Sequence, residues 1–326
     1  MASKLRSLSS FLVLFLLFLL FLLLPLLSYA TLPNSHDGKS LSIEFLKNLE
    51  GCQKSDIVKG IHDLKDYLEH FGYYNHPTKP NNDEFDELLE SAIKTYQLNY
   101  NLKATGILDA KTISKMKMPR CGMPDIINGT NWMHSVGSNK KGHHGRHLIG
   151  SFHVVSHYEF FPGKPRWPDS KRHLTYRFLG GFPDAYISPV EEAFKTWARN
   201  STFTFFRATS YWKSPFRRRR WPIVSDLKIS FEEREHGDGY PFYNGILAHA
   251  FGPSDGRLHF NKEEQWSVVA APSTYHLGTI ALHEIGHLLG LAHTSLEDAI
   301  MYPYFLEGQN KDLTKDDIDG INNLYA

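Results

Sequence analysis

Three histidines in the stretch "HEIGHLLGLAHT", residues 283 to 294, constrain the fold more than any other feature of the chain. In a helix, residues four apart share one face, about 6 Å apart along the axis. His283 and His287 can therefore grip one ion. A helix continued through this stretch would carry His293 to another face. Gly290 can take the left-handed conformation that ends a helix, so the chain can turn and bring His293 back beneath the same ion. Three neutral imidazoles leave one tetrahedral position open, as in a catalytic rather than a structural zinc site. Nitrogen donors of this kind suit zinc among the common metals. Glu284 points about 100° away from His283 and need not ligate. It can instead take a proton from a water whose pKa zinc lowers to about 7, then pass it to a leaving amine. Incidental histidines on an amphipathic helix explain a bare H-E-x-x-H better than they explain one followed by a glycine and a third histidine.

The rest of the composition narrows the setting. A length of 326 residues suggests about two domains. A net charge of +1 gives no general attraction to nucleic acid or anionic membrane, and no nucleic-acid partner is expected. The two cysteines, Cys52 and Cys121, exclude a disulfide scaffold. Lys4 and Arg6 precede an apolar run, Phe11 to Leu27, and Ser28 to Ala30 offer small residues for a signal-peptidase cut. Residues 1–30 thus read as a signal peptide. The run is long, so an uncleaved membrane anchor is the competing reading, although no basic stop-transfer cluster comes after it. Either way the remainder faces an oxidising, extracellular-type space. Asn128 and Asn200 begin candidate N-glycosylation triplets. The C-terminal "INNLYA" has no apolar tail, so no glycolipid anchor is expected.

From Leu41 to Met118 the hydrophobic period is helical. Ser55 is the expected cap of a first helix with Ile57, Val58, Ile61, Leu64 and Leu68 inward. Phe85, Leu88, Leu89, Ala92, Ile93 and Tyr96 form a second stripe, and a third helix starts near Asp109. These make a small three-helix unit without a catalytic cluster. Residues 137–147, with His143, His144 and His147, read as a solvated linker rather than a metal site. Strands are expected at 174–180, 202–208, 226–233, 246–251 and 257–261. Ser188, Pro189 and Glu191 read as the start of a helix burying Val190, Phe194 and Trp197. A last helix starts at Thr314, with Ile318, Ile321 and Leu324 inward. The economical solution is α+β: one mixed sheet with packed helices, residues 151–326, behind a helical unit, residues 31–150.

Two further motifs give the histidine stretch a family. "HEIGHLLGLAH" resembles the metzincin zinc signature, and Met301 in "AIMYP" resembles its methionine turn. "PRCGMPD", residues 119 to 125, resembles the cysteine switch of matrix metalloproteinases. The resemblance covers Leu41 to Ala326 and is to the compact plant-type members without a haemopexin-like domain. It implies a secreted, monomeric zinc endopeptidase made as a latent zymogen, acting on extracellular proteins of a cell wall or matrix. Cys121 would fill the open zinc position, Arg120 and Asp125 would pair to hold its loop, and an activating protease would remove everything up to the 137–160 region. His236, Asp238, His249 and His259 match a closed structural zinc site. Calcium is expected to be weakened. Tyr243 and Asn244 stand in a shortened loop where the family has an aspartate, and Asn261 replaces another, leaving Glu264 and, at a second site, Asp226. "ILAHAF" is expected to be an edge strand whose Leu247 and Ala248 pair with substrate backbone. Pro303 to Phe305 would help wall the specificity pocket.

Several alternatives stay open in the sequence. A Cys52–Cys121 disulfide competes with the switch and would leave neither thiol free. Arg217 to Arg220 lie in an inserted stretch that reads as a solvated loop or as a dock for acidic wall polysaccharide. The helical unit looks like a peptidoglycan-binding-type module, so a catalytically weak or silent wall-binding scaffold is the alternative function. The complete set of His283, Glu284, His287 and His293 stands against it.

Overall fold

The computed structural model describes residues 43–75, 82–133, 157–208, 224–243 and 245–326. The expected signal segment, His143, His144, His147, Arg217 to Arg220, Asn244 and most of the expected processing region lie outside the described residues. No described helix is long and apolar enough to cross a membrane.

A 3-10 turn at Ile43–Leu49 leads to three helices: α1 (Ile61–His70), α2 (Glu87–Asn99) and α3 (Ala110–Met116). Helix α1 starts later than expected. Ser55 has φ +78° and does not cap it, and Ile57 is 78% exposed in an isolated bridge with Glu84. The cause is long-range. Gly60 turns left-handed (φ +105°), and Asp83 Oδ1 accepts from the Gly60 and His62 amides at 3.1 and 3.0 Å. A side chain from a distant loop thus satisfies the free N–H groups of the helix start. The other two helices begin at local signals. Asp86 caps α2 through the Leu89 amide, and Asp109 caps α3 through the Thr112 amide. Leu88, expected inward, is 52% exposed; Phe85, Leu89, Ala92, Ile93 and Tyr96 are buried.

The sheet-bearing portion has strands β4 (His173–Phe178), β5 (Thr204–Arg207), β6 (Leu227–Glu232), β7 (Ile246–Ala250) and β8 (Arg257–Asn261). A two-residue strand, β1 (Arg120–Cys121), joins them. The six-stranded order is β1-β7-β8-β6-β4-β5, parallel throughout except for β7 against β8. The sheet is mixed, as the α+β expectation has it. A hairpin of β2 (Ile126–Ile127) and β3 (Thr130–Asn131) comes after the switch loop, and β9 (Trp266–Ser267) pairs with β10 (Tyr275–His276).

Helices α4 (Ile187–Asn200), α5 (Leu277–Leu288) and α6 (Lys315–Leu324) complete the core. Val190, Phe194 and Trp197 of α4 are buried, and Trp197 Nε1 donates to Leu282 O of α5 at 2.8 Å. Ser188 does not cap α4. A 3-10 turn at Asp184–Tyr186 feeds straight into it, so Ser188 lies inside the first turn and Tyr186 takes the cap position. Helix α6 starts at Thr314 in a reciprocal capping box with Asp317. Ile321 and Leu324 are buried and Ile318 is half-buried. The helical core takes in four residues of the sheet-bearing portion: Phe242, Ile246, Tyr302 and Tyr304.

Candidate metal centre

Helix α5 sets His283 and His287 one turn apart, and its end brings in the third ligand. Gly290 has φ +103°, the Gly290 amide donates to His287 O, and the Leu291 amide donates to Gly286 O. This paired bonding is a left-handed glycine stop, and it turns the chain back toward the metal face. A β-carbon at Gly290 would lie 2.6 Å from Pro165 O. One at Gly286 would lie 2.3 Å from Met301 Sδ, so the methionine turn packs directly against α5 between the two histidines. Asp317 of α6 accepts from the Ile300 and Met301 amides and fixes that turn.

The ring nitrogens converge. Nε2 of His287 lies 3.1 Å from that of His283 and 3.2 Å from that of His293, and Cys121 Sγ lies 3.5 Å from it. Tetrahedral zinc at ordinary bond lengths places nitrogen donors about 3.3 Å apart and a nitrogen and a sulfur about 3.5 Å apart. The rings are also in the correct tautomer. Nδ1 of His283 donates to Ile300 O at 2.7 Å, Nδ1 of His287 donates to Leu291 O at 2.7 Å, and Nδ1 of His293 donates to Asp125 Oδ1 at 2.8 Å. Each proton is thereby held on Nδ1, and each Nε2 presents a lone pair inward. Burial, and the crowding of the rings, lower the pKa of His283 and His287 well below the imidazole range, so both are neutral ligands. Glu284 is fully buried, and among the described residues neither carboxylate oxygen meets a hydrogen-bond partner. Burial raises its pKa to about 8, although the Cys121 thiol beside it acts to lower it. An orphaned carboxyl costs several kcal/mol in such a place, roughly, unless a cation or a water answers it. Donor set, spacing and orphan all fit zinc.

Cys121 reaches this point because its chain is held on both sides. The Arg120 amide donates to Gly245 O at 3.0 Å and the Gly122 amide to Ala248 O at 2.8 Å, on the β7 edge. Opposite, the Cys121 amide donates to Pro303 O and the Phe305 amide to Pro119 O, each at 2.9 Å. Gly122 has no room for a β-carbon, which would lie 2.7 Å from Ile246 Cγ2. Cys52 and Cys121 are both free thiols, so the disulfide alternative is not what forms here. Arg120 and Asp125 pair through two bonds, 2.8 and 3.1 Å, fully buried, with the guanidinium 3.5 Å from the centre of the Phe71 ring. Burial acts to raise the Asp125 pKa, but Arg120 and His293 outweigh it and hold the group well below the carboxylate range.

A second cluster gathers His236, Asp238, His249 and His259. Asp238 Oδ2 lies 2.9 Å from His236 Nε2, 2.9 Å from His249 Nε2 and 3.0 Å from His259 Nδ1. These are the edges of a closed four-donor tetrahedron, the arrangement of a structural zinc site.

Comparison with known proteins agrees. A matrixin family model matches residues 166–326, and a model described as a putative peptidoglycan binding domain matches residues 58–116. Metalloendoproteinase 2-MMP of Arabidopsis thaliana is 38% identical over 312 residues, covering 92% of this chain and 79% of the relative. Metalloendoproteinase 1 of Glycine max is 41% identical over 280 residues, 82% of each chain. This chain is a matrixin. Neutrophil collagenase of Homo sapiens is more distant, at 34% identity over 83% of this matrixin and 51% of the collagenase. The matrixin is thus a zinc metalloendopeptidase that acts on protein substrates.

The remaining expected residues of the matrixin have other surroundings. Asp226 and Glu264 join neither cluster among the described residues. Asp226 pairs with Lys171 and accepts from the Thr175 amide and hydroxyl, while burial raises the Glu264 pKa to about 7. Asn128 is exposed in the β2–β3 turn; Asn200 is half-buried, and its amide nitrogen donates to Thr196 O. Asp125 also bonds His293 and accepts from the phenols of Tyr73 and Tyr100 at 2.8 and 2.6 Å, partners not expected from the sequence. No local spacing announces these contacts.

Proposed function

We propose that this zinc endopeptidase is made latent, is secreted, and works outside the cell as a monomer after an activating protease removes its N-terminal portion. The observation that carries the reading is Cys121 Sγ, 3.5 Å from His287 Nε2, on a segment hydrogen-bonded to the backbone on both of its sides. Bound zinc supplies a Lewis acid that polarises a scissile carbonyl and acidifies a water. Glu284 takes the proton of the attacking water and returns it to the departing amine. Gly245 O and Ala248 O, with Pro303 O and the Phe305 amide, are free to bind an extended substrate backbone once Pro119 to Gly122 leave. Leu247 then lies on the substrate-pairing strand. Asn128 and Asn200 are the candidate glycan acceptors of the secretory route, and Asp226 and Glu264 the candidate ligands of weakened calcium sites. The match over residues 58–116 favours a second role, in which the helical portion docks on wall glycan. Retention of full-length Glu284→Ala by insoluble peptidoglycan checks it.

Casein cleavage tests the main reading. Intact zinc-loaded precursor should be nearly silent, and Cys121→Ala precursor measurably active. Wild type activated by limited proteolysis should exceed activated Glu284→Ala by about 10²- to 10⁴-fold at equal zinc content. Equal rates for the activated pair would remove Glu284 from the mechanism.

A further inference from the structure

Phe242, Ile246, Tyr302 and Tyr304 are buried among residues of the helical portion, and two of them face cations. Lys115, in the last turn of α3, places Nζ 3.0 Å from Tyr302 Oη and 3.0 Å from Glu297 Oε1. The same ammonium lies 5.4 Å from the centre of the Tyr302 ring and 5.7 Å from that of Tyr304. Arg120 Cζ lies 5.0 Å from the Tyr304 ring centre. A carboxylate, the Tyr302 phenol oxygen and the neighbouring Tyr304 ring around one ammonium make a receptor for a cationic side chain.

Part of the receptor is held by a bond that does not involve Lys115. Tyr302 Oη donates to Glu297 Oε1 at 3.2 Å, so phenol and carboxylate hold each other. Lys311 also lies 5.7 Å from the Tyr302 ring centre, but its ammonium is bound to the carbonyls of Glu297 and Ala299. The position adjoins the cleft. Pro303, between the two tyrosines, accepts from the Cys121 amide, and Phe305 donates to Pro119 O. The backbone between the two tyrosines thus borders the path of residues 119–121.

We propose that, once the helical portion has left, Glu297, Tyr302 and Tyr304 form a subsite for a lysine or arginine side chain of the protein substrate, the place Lys115 fills in the precursor. This rests on the reading of the chain as a latent endopeptidase. The alternative, that Lys115 only staples the precursor together, is an outcome of the test.

The full-length, zinc-loaded precursor is activated by limited proteolysis and given fluorogenic peptides. Each peptide carries lysine or norleucine at one position, scanned from two to six residues from the cut on either side. At one position lysine should raise kcat/KM over norleucine by roughly tenfold, the size of one exposed cation–π contact plus one exposed ion pair. Glu297→Gln should lower that ratio, and Glu297→Lys should turn it below one. The proposal is overturned by a ratio near one at every position, or by a lysine preference that Glu297→Lys leaves unchanged. Failure of the underlying reading looks different: no peptide is cut at all, or Glu284→Ala cuts as well as wild type, and either result overturns both.

Discussion

Asp125 accepts five hydrogen bonds: two from Arg120, one each from Tyr73 and Tyr100, and one from His293. It is thus at once the anchor of the switch loop and the support of a metal ligand. Its neighbourhood also marks what was legible at this scale. His283, Glu284, His287 and His293 lie within one turn-and-stop, so local spacing reveals them. The Asp125–His293 bond spans 168 residues, and only folding brings the two together. Glu159 makes a separate, pH-dependent case. Burial, with Asp316 beside it and Lys164 opposing, raises its pKa to about 7. A raised carboxyl binds its proton more tightly in the folded chain, so stability falls as pH climbs from the unfolded value, about 4.3, through 7. Glu159→Gln should therefore raise the precursor's melting temperature at pH 8 and leave it unchanged at pH 4, measured by calorimetry.

Elements divide in the same way. Helices α2, α3 and α6 begin at their own Asp or Thr caps, which local sequence announces. Helix α1 begins where Asp83, from another loop, supplies the acceptor, and α4 begins ahead of Ser188 because a 3-10 turn runs into it. Strand β1 has no strand signature at all; two residues become a strand only because β7 presents an open edge. The stop of α5 is the element on which the metal depends most. Gly290→Ala forces a side chain into φ +103° and against Pro165 O. We expect a loss of about 1–3 kcal/mol in urea unfolding of the precursor, together with a fall in bound zinc measured by elemental analysis.

For the whole molecule, the helical and sheet-bearing portions share a core through Phe242, Ile246, Tyr302 and Tyr304, with Tyr304 Oη 2.6 Å from Tyr96 Oη and 3.3 Å from Tyr67 Oη. None of these contacts uses the covalent link near residues 134–156. A single cut there should leave both pieces co-eluting in gel filtration under native conditions. Separate peaks immediately after the cut would contradict the shared core. Under the proposed function, activation would also change the metal centre through the Asp125 carboxylate. On the proposed reading, the aspartate that steadies the His293 ring belongs to the part that is discarded, so the working enzyme would lose a prop as well as a plug. Loss of such an outer partner typically weakens metal binding by about 10- to 100-fold. Precursor Cys121→Ala, which keeps Asp125, should therefore outcompete the activated enzyme for zinc against a chelator. On that reading the activated form would hold its zinc less firmly than the latent one, so its working life would depend partly on how much free zinc surrounds it.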